Sequence, residues 1–162
     1  MKHLSEFIYG GMDGIITTVA IIGAGLGSGL STKYISILGS SSLLADGFSM
    51  GVSRYNSLIE SKDSSCKEGK INPFMSGIYT FVYFVCLGII PLLPFFIFNE
   101  KLDLHKYFIV FSILAFTIVG YIKGNKTKGK NIMFNIIQTL VLGMFAVLIS
   151  YSVSYKIKQY IA

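Results

Sequence analysis

Five long apolar stretches separated by short polar segments run through the chain, at residues 7–30, 34–59, 73–98, 104–122 and 132–155. Each approximates the ~20 residues that a helix needs to cross the hydrocarbon core of a bilayer. The other spanning structure, a closed barrel, would alternate polar and apolar positions over about ten residues, and that pattern is absent. The interruptions at 31–33, 60–72, 99–103 and 123–131 are too short to fold alone. The pattern predicts an all-α integral membrane protein of five transmembrane helices, one domain over residues 1–162. No internal repeat of the kind that builds many secondary transporters is visible.

Composition agrees with a lipid environment. Hydrophobic residues make up 52% of the chain and charged residues 14%, and the mean hydropathy is +0.64. With the N-terminus in the cytoplasm, nine of the fourteen Lys and Arg residues fall on that side (Lys2, Arg54, Lys62, Lys67, Lys70, Lys123, Lys126, Lys128 and Lys130). The bias predicts an N-terminus inside and a C-terminus on the opposite face. The net charge of +6 then reads as cytoplasmic loops facing anionic lipid, which argues against nucleic acid as a partner. Glu6 and Asp13 interrupt what would otherwise resemble the apolar core of a signal peptide, so the first stretch reads as a retained span. Cys66 falls in a loop and Cys86 in a span, an arrangement that suggests neither a disulfide nor a metal pair.

The chemistry lies in the first two spans. Asp13 and Asp46 sit inside apolar stretches, where insertion of an ionisable side chain costs at least ~2.5 kcal/mol, so such a residue pairs, lines a wet cavity or handles ions. Helical spacing puts Glu6 and Asp13 on one side of the first span and Ser42, Asp46, Ser49 and Met50 on one side of the second, so two polar stripes can face each other. A bland alternative has the hydroxyls and carboxylates tying the helices together by interhelical hydrogen bonds. Two hard carboxylates with one soft thioether suit a borderline divalent metal such as ferrous iron or manganese better than calcium or magnesium. One chain offers too few ligands for a six-coordinate ion, which points to a site shared between two copies. Desolvation favours the protonated form of a carboxylic acid in general, so binding a dication at such a site releases protons, the physical basis of metal–proton antiport.

Seven glycines in the first span, with Gly47 and Gly51 in the second, predict close helix packing and a tight interface for these two helices. The run Gly23-Ala-Gly-Leu-Gly-Ser-Gly29 is no dinucleotide fingerprint, because no strand precedes it and Ser28 takes the third glycine's place. Pro91 and Pro94 predict a break near the far end of the third span. Spans four and five, with little polar chemistry beyond Asn135 and Gln138, read as scaffold.

Three segments resemble the vacuolar iron transporter family, which includes the yeast calcium-cross-complementer-type and plant nodulin-21-like transporters. They are Tyr9-Gly-Gly-Met-Asp-Gly-Ile-Ile-Thr-Thr18, Leu43-Leu-Ala-Asp-Gly-Phe-Ser-Met-Gly-Val-Ser-Arg-Tyr55 and Gly88-Ile-Ile-Pro-Leu-Leu-Pro-Phe95. The resemblance implies a five-helix homodimer that exports ferrous iron, often manganese, from the cytosol in exchange for protons, with its path between the first two helices of both protomers. By motif, Asp13 and Met50 would be metal ligands, Glu6 would lie near the cytoplasmic entrance, and Asp46 would take the acid position of the Ala-Asp-Gly branch. No permanently bound cofactor is implied, and the membrane could be vacuolar, endosomal or plasma membrane. Plant members carry a glutamate-rich cytoplasmic metal-binding domain between helices two and three; here 60–72 is short, with only Glu60, Asp63 and Glu68 as acids. Arg54 stands where relatives commonly have a glutamate or a small residue, and would repel a dication unless paired with Asp63, Glu60 or lipid phosphate. Ser42 likewise replaces an acid that some members carry.

Two other function classes compete with transport. In a non-transporting structural or partner protein, the acids would pair with Arg54 and only hold the bundle together. An intramembrane hydrolase would use paired aspartates as acid and base, but no His lies within a span and no intramembrane Ser has a base partner by spacing, so the chain reads as a non-enzyme.

Overall fold

The computed structural model describes residues 4–64, 72–98, 104–126 and 131–161, excluding the side chains of 62–64. Readings that involve Lys2, Cys66, Lys67, Glu68, Lys70, Lys128, Lys130 and the side chains of Lys62 and Asp63 lie outside the described residues. The helices are α1 (Leu4–Ser28), α2 (Thr32–Ser64), α3 (Pro73–Gly88), α4 (Leu93–Ile97), α5 (Leu104–Lys126) and α6 (Ile132–Ile161), with a single 3-10 turn at Ile90–Leu92. No strand occurs among the described residues. Among the described residues, five helical segments are long and apolar enough to cross a membrane, the third being Pro73–Ile97, which includes the 3-10 turn.

The ends of the helices follow local chemistry. Pro73 occupies the first turn of α3, where its missing N–H is no loss, and the Asn72 side chain accepts a hydrogen bond from the Phe74 N–H at 3.1 Å. Near the far end Pro91 and Pro94 cannot donate to the helical ladder, and the backbone tightens into the 3-10 turn before resuming as α4, the break their spacing predicts. Gly29 closes α1 in the left-handed region at φ +75°, while the Leu30 N–H reaches back to the Gly25 carbonyl at 2.9 Å.

Helix α1 lies at the centre, packed along much of its length against α3 and α6. A methyl group at Gly10 would lie 2.6 Å from the Thr80 carbonyl oxygen of α3, and one at Gly27 would lie 2.5 Å from that of Tyr151 in α6. These glycines therefore admit neighbouring backbone, as small residues do in membrane bundles. The glycines of the first two spans mostly approach α3 and α6, however, and not each other. Gly47 and Gly51 of α2 face Phe81, Phe84 and Gly77 of α3, while Gly25 receives Ile35 near the α1–α2 turn. Helices α1 and α2 also touch each other, and α3 packs on both, so the closest glycine-mediated approaches are made to a third helix. Ile15, Val19 and Ile22 of α1 are buried with Phe84, Leu92, Phe116 and Val119.

Candidate functional site

Helical periodicity carries Asp13 and Met50 to the same place from two different spans. Both line a surface pocket of about 330 Å³, together with Ile8, Tyr9, Met12, Ile16 and Lys123. The Asp13 carboxyl group is exposed on the face of the chain and Met50 is half-buried. Asp13 follows the Gly10–Gly11 pair, whose contacts with Thr80 and Leu87 turn one side of α1 towards α3. The carboxylate is left on the free side.

Asp46, one turn before Met50 on α2, is also exposed and is close enough to Asp13 for the two carboxylates to repel each other. Neither acid is ion-paired among the described residues, so the structural alternative, in which the acids serve only to pair with Arg54, does not describe them. No cluster of three or more His, Cys, Asp and Glu side chains that could hold a metal ion occurs among the described residues. Two carboxylates and a thioether fall short of the six donors that borderline dications commonly take.

Glu6 has a different environment from Asp13, although helical spacing puts both on one side of α1. It is 2% exposed, and its Oε1 accepts from Arg54 Nη2 at 3.0 Å. The Ser76 hydroxyl donates to the same oxygen, and the Ser5 hydroxyl donates to Oε2 at 3.0 Å. Arg54 Nε reaches Ser76 Oγ at 3.3 Å, so α1, α2 and α3 meet at one charged knot. Among the described residues the arginine's ion-pair partner is therefore Glu6, 48 residues away in sequence. A pocket lined by Ser5, Glu6, Ile8, Tyr9, Arg54 and Thr80 adjoins the Asp13 pocket, since Ile8 and Tyr9 belong to both. The two together form a groove from the Glu6 end of α1 to Asp13 and Met50.

Three hydroxyls of α2 are satisfied within their own helix. Ser36, Ser40 and Ser41 donate to carbonyls of their own helix one turn back, at 2.9, 2.7 and 2.8 Å. Such internal satisfaction lets a serine-rich helix lie in an apolar medium. Interhelical hydrogen bonds occur at Ser76 and at Thr139, whose hydroxyl lies 3.1 Å from the Phe116 carbonyl of α5.

Five lining residues were not legible as parts of the site: the apolar Ile8 and Ile16, and Tyr9, Met12 and Lys123. Lys123 belongs to the last turn of α5, beyond the predicted end of the fourth span, and its Nζ donates to Gln138 Oε1 at 3.2 Å. Tyr9 and Met12 flank Asp13 in the motif of the first span, which is the only signal that could have drawn them in.

Comparison with known sequences places this geometry in context. The family model described as the VIT family matches residues 4–70 and 60–155. A protein of Toxoplasma gondii named "Vacuolar iron transporter" is 38% identical over 61 residues, which is 38% of this chain and 20% of the relative. Proteins of the same name from Plasmodium berghei and Plasmodium falciparum are 40% identical over 55 residues and 35% identical over 68 residues. These alignments cover 34% and 42% of this chain, and 20% and 25% of the relatives. The chain thus spans a quarter or less of the length of the curated relatives it matches.

Proposed function

The chain belongs to the VIT family, and from that premise we propose that it carries a divalent metal ion, ferrous iron or manganese, across the membrane out of the cytosol in exchange for protons. The observation that carries this reading is the convergence of Asp13 and Met50, from separate spans, on one pocket at which Asp46 also exerts its charge. Carboxylates favour a dication over a monovalent ion, and the thioether favours a borderline metal over calcium or magnesium. Asp13 and Asp46 would hold the ion by charge, with Met50 as the soft donor.

The ligand shortage in one protomer favours a homodimer. Asp13 and Asp46 both open onto the outside of the protomer, so a second copy facing them across a two-fold axis would double the donors from two carboxylates and one thioether to four and two. Glu6 lies at the cytoplasmic end of the groove when the N-terminus is inside, as the distribution of positive charge favours. Proton exchange follows from competition at the acids, since an ion that needs carboxylate ligands displaces the protons they hold.

The family names of the relatives and the exposed acids favour transport over a purely structural role, for which only Glu6, held by Arg54 and Ser76, offers support. The test is to load purified protein into liposomes with an internal pH indicator and add Mn²⁺ or Fe²⁺ outside. Metal-dependent movement of protons out of the lumen supports exchange; metal uptake without a proton signal would remove the antiport component, and no uptake would remove transport.

A further inference from the structure

The groove that leads towards Asp13 and Met50 carries a cation of its own at its Glu6 end. Glu6 is the only acid of the three that is buried, and both of its oxygens are engaged: Oε1 by Arg54 and Ser76, Oε2 by Ser5. A carboxylate has about four lone-pair sites, and at least three of them are used here. Binding a metal ion at Glu6 would require the ion to displace a guanidinium held at 3.0 Å. Arg54, 28% exposed, lines the same pocket as Glu6, and that pocket joins the Asp13 pocket through Ile8 and Tyr9.

We propose that Glu6 is not an ion ligand in this chain, and that Glu6 and Arg54 form a neutral entrance pair that sets the apparent affinity for the dication, a consequence that rests on the chain being a dication transporter. The pair cancels the charge that either member alone would project into the groove. Removing one member therefore unmasks the other. A bare arginine repels the incoming ion and a bare glutamate attracts it, through the focused field of a cleft with low-dielectric walls. Ser76 orients both members, since its hydroxyl touches Arg54 Nε and Glu6 Oε1.

A purely structural salt bridge would behave differently. Loss of either partner would reduce the amount of folded protein and leave the KM of what survives unchanged. The entrance pair instead moves KM in opposite directions for the two single substitutions.

The experiment is Mn²⁺ uptake into proteoliposomes, at fixed pH gradient, by native protein, Arg54→Gln, Glu6→Gln and the double substitution, with KM and kcat measured separately on folded protein. Arg54→Gln should lower KM about fivefold, Glu6→Gln should raise it by a similar factor, and the double substitution should return it to within about twofold of native. Arg54→Lys, which keeps the charge, should also stay within about twofold. Arg54→Met, which keeps the apolar stem, substitutes for Arg54→Gln if that variant does not fold. Shifts of the same sign in the two single variants, or an Arg54→Lys shift equal to that of Arg54→Gln, would overturn the entrance pair while leaving transport intact. Absence of uptake by the native protein would instead overturn the transport reading, and the tuning with it.

Discussion

Gly51 and Gly77 bring α2 and α3 into backbone contact: a methyl group on Gly51 would lie 2.9 Å from the Gly77 carbonyl oxygen, and one on Gly77 would lie 2.7 Å from that of Gly51. The crossing falls between Met50, which lines the Asp13 pocket, and Arg54, which meets Ser76 beside Gly77. Gly77→Val should therefore push α2 away and destabilise the bundle by about 1–3 kcal/mol, the usual range for overpacking. Thermal unfolding in detergent checks this, with Val82→Ala on the exposed side of α3 as a control that leaves the midpoint nearly unchanged.

Met50 separates ligation from packing. Met50→Leu keeps the volume and loses the sulfur, so it should leave stability within about 1 kcal/mol of native while reducing discrimination for iron over calcium and magnesium several-fold. Competition of each cation against Mn²⁺ uptake measures this. Equal discrimination in the two proteins would make Met50 a packing residue.

A site completed by a second copy puts the exposed side of α2 near its counterpart. With Cys66 and Cys86 replaced by serine, a single cysteine at Ser49, one turn after Asp46 and exposed, should cross-link two chains with a short bifunctional reagent in membranes. A cysteine at Phe145, on the exposed side of α6, should not. Cross-linking at neither position, or at Phe145 alone, would contradict a site shared through α2.

The α5–α6 seam offers a contrast between scaffold and site. Thr139 is buried, with its hydroxyl 3.1 Å from the Phe116 carbonyl and 2.9 Å from that of Ile136. Thr139→Val should cost about 0.6 kcal/mol, the average for such bonds in membrane bundles, and leave the KM for metal unchanged. A shifted KM would mean that this seam communicates with the site.

Long apolar stretches were enough to place the five spans, because in lipid a helix is the cheapest way to satisfy its backbone. Their ends were less legible. Helix α1 begins at Leu4, ahead of the span expected from residue 7, and α6 runs to Ile161, beyond the span expected to end at 155, since helical hydrogen bonding continues into mixed polar sequence where nothing breaks it. Asp46 and Met50 could be grouped because four-residue spacing alone puts them on one face, and their meeting with Asp13 was expected from two facing polar stripes and from the family motifs, but the shared pocket and its other walls required the fold. The Glu6–Arg54 pair and the place of Lys123 were hidden for the same reason. Each depends on which helices are neighbours, and the bracing of α1 and α2 by α3 is a tertiary property that periodicity does not encode.

The central claim is that the Asp13 carboxylate handles the transported ion, and its exposure outside any ion pair among the described residues makes the test direct. Uptake of Fe²⁺ and Mn²⁺ into proteoliposomes under an imposed pH gradient should be about tenfold or more lower for Asp13→Asn than for native protein, with the two proteins equally folded and equally assembled. Native-level uptake by Asp13→Asn, or loss of assembly with normal metal handling in the protein that survives, would contradict it and make the first-span carboxylate a structural group.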